Sequence, residues 1–175
     1  MLRTRTCGEL TKQNIGQDVT LCGWVDTMRD HGGVTFIDLR DRYGKTQIVY
    51  DPSLKKQDTI AFKSEDCLQV TGKIQARPQG TENFKLPTGE IELAAISITV
   101  LAASDALPFE ISKSQLTNED LRIQYRYLDL RNPSVQKSFF LRHKACQVVR
   151  SVLDKHQFLE LETPILTKST PEGAR

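Results

Sequence analysis

Recurrent β-strand patterns in residues 1–104 are the feature that most limits what this chain can fold into. Residues 67–77, CLQVTGKIQAR, are the clearest case. Leu68, Val70 and Ile74 fall on one face there, and the polar side chains fall on the other. A period of two residues is typical of a strand with one buried face. The first part of the chain is therefore predicted to form a sheet.

Three more segments extend this pattern. Residues 19–30 are β-rich and lead to Gly32-Gly33, a signal for a turn or a bulge. Residues 34–51 predict a hairpin made of two alternating runs. Residues 89–101 also alternate, but the phase slips, which predicts a β-bulge near Ala94-Ala95.

The order of these elements indicates a particular barrel. Residues 52–66 are mostly polar and suit a short helix between the third and fourth strands. Three strands, a short helix and two strands is the order of an OB-fold, an all-β five-stranded Greek-key barrel whose outer face commonly binds oligonucleotides. A split sandwich is the alternative architecture at this point.

Helical periodicity replaces the strand pattern after Ser104. Residues 117–131 are predicted to be helical, with Thr117 and Asp120 resembling a capping box. Asn132-Pro133 then reads as an N-cap followed by proline at the first position of a longer helix. The segment FLELETPIL, residues 158–166, is predicted to be a strand.

The change of pattern divides the chain into three parts. We predict one domain at residues 1–104, a connector at 105–132 and the beginning of a second domain at 133–175. The last part is too short to bury a core of its own.

Composition excludes several classes of protein. No apolar run approaches the ~18 residues of a membrane span, and the N-terminus has no secretory pattern, so a cytoplasmic protein is expected. A net charge of +2 means that any nucleic-acid binding must depend on a local patch. The sequence contains none of the common phosphate-loop, dinucleotide or zinc-protease motifs. The cysteines lack metal-ligand spacing and suggest free thiols: Cys7, Cys22, Cys67 and Cys146.

The predicted hairpin carries a candidate binding face. If it turns at residues 41–44, Asp38 lies across from Gln47, and Phe36 lies across from Val49. Phe36 is then a large aromatic residue on a polar face. Such a ring can stack on a base, and a glutamine can hydrogen-bond a base edge. Packing of Phe36 under a loop or against the other domain explains the pattern equally well.

Two charged residues also have more than one interpretation. Arg29 is a candidate for phosphate binding or base stacking, or simply an exposed cation at a strand end. Glu90 and Glu92 point the same way on the last strand. They could form a glycosidase-like pair or a solvated strand face, and in a base-reading barrel such a carboxylate accepts from a base amino group.

Three segments resemble one enzyme family over the whole chain. They are GWVDTMRDHGGVTFIDLRDRYGKTQIV at residues 23–49, RYLDLR at 126–131 and ETPILTKSTPEGAR at 162–175. They are similar to the bacterial aspartyl-tRNA synthetases of class IIb. The resemblance implies an OB-fold anticodon-binding domain, a hinge, and the opening helix and strand of an α+β catalytic domain, inside which the sequence stops.

The family resemblance assigns roles in reading the anticodon. It implies that Phe36 stacks on the central base and that Gln47 hydrogen-bonds that base. Glu92 matches the glutamate that reads the first base, and Arg29 matches an anticodon-contacting arginine. Asn83 is a weaker match for a further contact.

Three other residues take roles from the resemblance. Pro164 matches a proline at the dimer interface. Glu172 matches the glutamate of a flexible loop that holds the α-ammonium of aspartate. His31 matches a histidine that accompanies relaxed enzymes, which also charge the tRNA for asparagine.

The implied full-length protein uses ATP and Mg²⁺ to activate aspartate and transfers it to the 3′ end of tRNA. It is expected to be a homodimer that binds neither membrane nor DNA. The 175 residues alone are expected to be inactive and to bind no cofactor. The alternatives are a stand-alone OB-fold module for single-stranded nucleic acid, which leaves residues 133–175 without a purpose, and another class IIb synthetase, which would prefer a different anticodon.

Overall fold

The computed structural model describes residues 2–51 and 62–166. The chain falls into two compact units, Met1–Ala106 and Leu107–Arg175. Each unit is taken by itself below. A finer boundary at residue 133, between a connector and a catalytic part, stays a prediction.

The first unit is a closed five-strand barrel in the described residues. Its strands follow the order β1-β2-β3-β5-β4, and β4 returns to pair with β1. The β3 and β5 strands are parallel, and the other neighbours are antiparallel. This is the predicted OB-fold topology. The strands are β1 (Asp18–His31), β2 (Val34–Arg40), β3 (Lys45–Tyr50), β4 (Cys67–Ala76) and β5 (Ile91–Ala102).

The predicted hairpin register is confirmed. Asp38 lies opposite Gln47, and Phe36 lies opposite Val49. The bulge on β5 is also present, because Thr71 pairs with Ser97 while Gly72 pairs with Ala95. The extra residue is therefore Ile96, one position beyond the predicted pair, and it is 56% exposed.

Alternation along each strand builds the barrel core. The inward positions of β2 and β3 are all buried: Ile37, Leu39, Ile48 and Tyr50. They pack with inward residues of the other three strands, including Leu21, Leu68, Val70 and Leu93. Removing this apolar surface from water is the main stabilising term of the barrel.

Charged residues in the barrel wall are paired. Arg40, which is 8% exposed, donates to Asp26 at 3.0 Å and to Glu65 at 2.5 Å. Lys45 also donates to Asp26, at 2.5 Å. These contacts satisfy groups whose burial alone would be costly.

The second unit is helical in its described part. A 3₁₀ turn at Ile111–Leu116 precedes three helices: α1 (Glu119–Gln124), α2 (Arg126–Asp129) and α3 (Pro133–Lys155). The predicted N-cap of α3 is confirmed, since the Asn132 side chain accepts from the backbone N–H of Ser134. The same side chain donates to the carbonyl of Ile111 at 2.9 Å, which ties the 3₁₀ turn to α3.

Two local predictions in the second unit are wrong. The cap of α1 is Asn118 and not Thr117, because the Asn118 side chain accepts from the backbone N–H of Asp120. Residues 158–166 form no strand. Their alternation resembles a strand, but no neighbouring strand pairs with them in residues 62–166, and a strand needs that ladder.

Some predictions fall on residues outside the described ranges. Most of the predicted helix at 52–66 lies outside the described residues, as does Glu172. The four cysteines are free thiols. No helix in the described ranges is long and apolar enough to cross a bilayer.

Candidate nucleic-acid interface

A cleft of about 580 Å³ opens on one face of the barrel. Six residues predicted from the sequence all line it: Arg29, His31, Phe36, Gln47, Asn83 and Glu92. They come from β1, β2, β3, β5 and the loop between β4 and β5. The barrel therefore brings together side chains that are up to 63 positions apart in the sequence.

Strand register explains why the aromatic ring stands among polar groups. Arg29 lies opposite Phe36 in the β1–β2 pair, and Asp38 lies opposite Gln47 in the β2–β3 pair. These residues share the outward face, since Ile37 and Leu39 occupy the inward one. Phe36 is half-buried and forms part of the cleft wall. Its ring thus contributes an apolar surface beside hydrogen-bonding groups.

A chain of hydrogen bonds crosses the cleft. Arg29 Nη2 donates to Gln47 Oε1 at 3.3 Å, and Gln47 Nε2 donates to Glu92 Oε2 at 2.8 Å. These two contacts fix which end of the Gln47 amide faces each neighbour. Gln47 is 7% exposed and Glu92 is 3% exposed, so both are held in a largely desolvated setting. The amide and the carboxylate keep further hydrogen-bonding capacity for a ligand.

Asp38 holds the guanidinium of Arg29 at the cleft. Its Oδ1 lies 3.5 Å from Arg29 Nη2, and its Oδ2 accepts from Thr27 Oγ1 at 2.7 Å. The side chain of Arg29 is 61% exposed. Arg29 is therefore oriented by two acceptors, Gln47 and Asp38, while much of its surface remains available to a partner.

The loop between β4 and β5 supplies Asn83. The backbone N–H of Asn83 donates to the carbonyl of Gly89 at 2.9 Å, which closes the loop. A Cβ at Gly89 would lie 1.8 Å from the carbonyl oxygen of Asn83, so this close approach requires glycine. The Asn83 Oδ1 accepts from the backbone N–H of Lys85 at 3.1 Å. Asn83 is thus fixed at the cleft by its own loop.

Arg77 is a cleft residue that the sequence interpretation did not select. It is 8% exposed, and its Nε donates to the carbonyl of Ile91 at 3.1 Å. Its Nη2 is buried and makes no hydrogen bond with the residues that the structure describes. Buried donors are normally satisfied. Arg77 is thus a buried cation at the cleft with one hydrogen-bond donor that has no partner among the described residues.

A sequence signal for Arg77 does exist. It continues the polar face of β4 two positions after Gln75. That face was identified, but local alternation does not show that it borders Glu92 and Phe36. The neighbourhood follows from the pairing of β4 with β5, which joins distant segments.

Pro164 and Glu172 are not part of this cleft. Pro164 belongs to the second unit and is exposed in this chain. Glu172 lies outside the described residues. Their roles in a dimer and in binding aspartate stay predictions.

The composition of the cleft favours recognition of bases. It combines a phenyl ring and an imidazole with two arginines, two amides and three carboxylates, so opposite charges are interleaved. Stacking and mixed donors and acceptors are the means by which proteins read unpaired nucleotides. In residues 2–51 and 62–166, no group of three or more His, Cys, Asp or Glu side chains could hold a metal ion.

Two family models match the chain. The first describes an "OB-fold nucleic acid binding domain" and matches residues 19–101. The second describes "tRNA synthetases class II (D, K and N)" and matches residues 118–175. The first match contains every residue named above as lining the cleft.

Curated relatives agree over nearly the whole chain. It is 50% identical over 177 residues to the aspartate–tRNA(Asp/Asn) ligase of Endomicrobium trichonymphae, covering 100% of this chain and 30% of that protein. It is 51% identical over 173 residues to the ligase of the same name from Persephonella marina, covering 97% of this chain and 29% of that protein. The chain thus spans about 30% of the length of these relatives.

Solved structures support the fold. Asparaginyl-tRNA synthetase from Pyrococcus horikoshii matches with a TM-score of 0.84 at 24% identity, covering 99% of this chain and 39% of that one. A putative aspartyl-tRNA synthetase from Leishmania major matches with a TM-score of 0.80 at 23% identity, covering 93% of this chain and 35% of that one. These matches show the fold, whereas the family models and the curated relatives show that the chain belongs to the class II tRNA synthetases of the D, K and N group, in which its relatives at about 50% identity are named aspartate–tRNA(Asp/Asn) ligases.

Proposed function

We propose that the cleft reads the anticodon of a tRNA and that this chain is the tRNA-selecting part of an aspartate–tRNA ligase. One observation carries the proposal. The six residues chosen from the sequence converge on one cleft, and Arg77 also lines that cleft. A surface with these properties suits a ligand that offers both flat rings and hydrogen-bond acceptors.

Each side chain has a task that follows from its chemistry. The ring of Phe36 stacks on the central base, and Gln47 hydrogen-bonds the edge of that base through its remaining donor and acceptor positions. Glu92 accepts N–H donors of the first base. Arg29 and Asn83, which also line the cleft, contribute further contacts.

Arg77 adds a further hydrogen-bond donor to the site. Two of its three nitrogens are directed to backbone carbonyls, Ile91 at 3.1 Å and Thr81 at 3.5 Å. The third, Nη2, remains for an acceptor on the ligand. A base carbonyl or a phosphate oxygen would satisfy it, and bonds from charged donors are among the stronger hydrogen bonds.

The activity of the whole enzyme belongs to this proposal. The full-length ligase activates aspartate with ATP and Mg²⁺ and transfers it to the 3′ end of the tRNA. No residue of this chain is assigned to ATP or Mg²⁺, so no chemical step is derived for it. Glu172 would hold the ammonium of aspartate, and Pro164 would lie in a homodimer interface. A cytoplasmic protein that binds neither DNA nor membrane fits these tasks.

We also propose that the enzyme serves the tRNAs for both aspartate and asparagine. Two relatives at about 50% identity carry the name aspartate–tRNA(Asp/Asn) ligase. His31 lies at the end of β1 and lines the cleft. A neutral imidazole can donate or accept a hydrogen bond, which suits a position where cytosine and uracil must both be accepted.

A stand-alone OB-fold module is not favoured. The synthetase family model matches residues 118–175, which such a module would not need. Residues 105–132 are proposed to act as the connector and residues 133–175 as the start of the catalytic domain.

Titration of the 175-residue chain with labelled anticodon stem-loops tests the proposal. One stem-loop carries GUC, and the other has the same stem with a scrambled loop of equal composition. Fluorescence anisotropy should show tighter binding of the GUC loop by at least tenfold, about 1.4 kcal/mol. Equal affinity for both stem-loops would contradict anticodon recognition and would favour general single-strand binding.

A further inference from the structure

Gln75 makes a contact with the cleft that no assigned role explains. It lies on β4 directly opposite Glu92 on β5. Its Nε2 donates to Glu92 Oε1 at 2.8 Å, while Gln47 Nε2 donates to the other oxygen, Oε2, at the same distance. The carboxylate is therefore held from both sides by amide groups.

Glu92 needs these two hydrogen bonds because its carboxylate is buried. Glu92 is 3% exposed and forms no ion pair with any residue of the described ranges. Desolvating a carboxylate is costly unless hydrogen bonds compensate. Two neutral donors occupy about half of the roughly four acceptor positions of a carboxylate. Glu92 lines the cleft, so its remaining acceptor positions are those that can meet a ligand.

The two amides hold Glu92 in different ways. Gln47 is itself engaged by Arg29 and is 7% exposed, so it belongs to the buried network. Gln75 is an exposed residue whose contact depends on cross-strand register. The last torsion of a glutamate side chain has a broad energy profile, so one donor alone fixes the carboxylate plane poorly. Gln75 supplies the second donor, on the other carboxylate oxygen.

We propose that Gln75 is a positioning residue that sets the preference for guanine at the first anticodon base by fixing the plane of the Glu92 carboxylate. This inference rests on the proposed function. The Watson–Crick edge of guanine presents two neighbouring N–H donors, and a fixed carboxylate can accept both at once. A carboxylate that rotates accepts them with poorer geometry, which weakens each bond.

Two substitutions at position 75 separate the effect of the hydrogen-bond donor from the effect of side-chain size. Gln75→Met keeps the length of the side chain but removes the donor, whereas Gln75→Arg restores a donor toward Glu92. Gln69→Met is the matched control, because Gln69 lies on the same strand and donates instead to the carbonyl of Leu2, at 2.6 Å. Gln75 and Gln69 both lie outside the barrel core, and circular dichroism checks that each variant is folded.

The measurement compares three stem-loops that carry GUC, inosine-UC and GAC. Inosine lacks the amino group of guanine, so the ratio of the first two dissociation constants reports on the first base alone. Gln75→Met should lower the preference for guanine over inosine by roughly fivefold or more, as expected for weakened hydrogen bonds to a charged group. The preference for GUC over GAC should stay within about twofold, and Gln75→Arg should restore the preference for guanine.

A double-mutant cycle shows whether Gln75 acts through Glu92. In a Glu92→Gln background, Gln75→Met should change the guanine preference by less than about twofold. An unchanged preference in Gln75→Met, or an equal loss in both backgrounds, would overturn the positioning role while leaving anticodon binding intact. A wild-type chain that binds GUC and scrambled loops equally would overturn the proposed function and this role with it.

Discussion

The barrel and the helical unit treat their apolar residues differently. In the barrel, inward residues of all five strands are buried, and Leu93 is 0% exposed. In α3, apolar residues remain open to solvent, with Leu153 at 44% and Val149 at 57% exposed. The barrel is thus a closed packing unit with a binding cleft. Within the described residues, Val135 near the start of α3 is buried, while the apolar residues farther along the helix stay exposed.

This difference indicates which functions can be studied in this chain. Binding at the cleft depends on side chains that all come from the barrel and its loops. None of the residues that line the cleft is assigned to the catalytic steps proposed for the full-length enzyme. Recognition and catalysis are therefore separable experimentally, and the barrel is the part to test first.

The largest contrast is expected from one substitution made in both units. Leu93→Ala should lower the free energy of unfolding of the barrel by about 2–5 kcal/mol, since it leaves a cavity in a closed core. Leu153→Ala should cost less than about 1 kcal/mol because the side chain is already 44% exposed. Urea unfolding followed by circular dichroism and by the fluorescence of Trp24, on β1, measures both. Equal losses would remove the distinction between the two units.

The second unit has its own buried charge at Asp129. Burial raises the pKa of this carboxyl, but hydrogen bonds from Ser114 and Arg122 and the charges of Arg122 and Arg126 outweigh it, so the pKa lies below its usual value of 3.8. The stabilisation is therefore present above about pH 3.8 and is lost as pH falls through the lower, folded-state pKa.

Asp129→Asn tests that stabilisation. It should cost about 1–3 kcal/mol at neutral pH, because Arg122 and Arg126 lose an ionised partner. Helical circular dichroism during urea unfolding, measured from pH 2 to 7, should show a flatter pH dependence than in the wild type. The same pH dependence in both proteins would show that Asp129 does not supply this stabilisation.

Arg77→Met should weaken binding of the GUC stem-loop by about 1.5–3 kcal/mol, the usual range for hydrogen bonds to charged groups. The loss is expected because the unsatisfied Nη2 is the atom proposed to meet the ligand. Arg5→Met is the control, since the Arg5 side chain is 48% exposed, pairs with Glu9 and does not line the cleft. Anisotropy titrations of the two folded variants should differ, and equal affinities would exclude the assigned role of Arg77.

The smallest effect is expected at the third anticodon base. Stem-loops carrying GUC and GUU, the anticodons for aspartate and asparagine, should bind within about threefold of each other, or less than about 0.7 kcal/mol. The reason is the ability of His31 to donate or accept a hydrogen bond. Rejection of GUU by more than about tenfold would contradict dual tRNA use.

Local sequence predicted the site because strand geometry is regular. A period of two placed Phe36, Asp38 and Gln47 on one face and Ile37 on the other, and the structure confirms that arrangement. The roles of these residues came from family resemblance and not from alternation. The turn at Gly32-Gly33 was also identifiable, and both glycines have positive φ.

The overlooked residues of the cleft and the mispredicted strand have a common physical cause, which is long-range pairing. Arg77 and Gln75 became significant only when β4 paired with β5 and placed Gln75 opposite Glu92. Residues 158–166 alternate as a strand does, yet no described strand pairs with them. Alternation specifies the face of a residue but not its neighbour on the next strand.

The most direct test of the central claim is a cycle between the ring of Phe36 and the central base. Wild type and Phe36→Ala are titrated with the GUC stem-loop and with the same stem-loop lacking the base at its central position. Each change alone should weaken binding by about 1–3 kcal/mol, the usual contribution of a base–aromatic stack. If the ring stacks on that base, both changes together should weaken binding no more than either alone. Losses that simply add would show that Phe36 does not contact the central base, and that result would contradict the account.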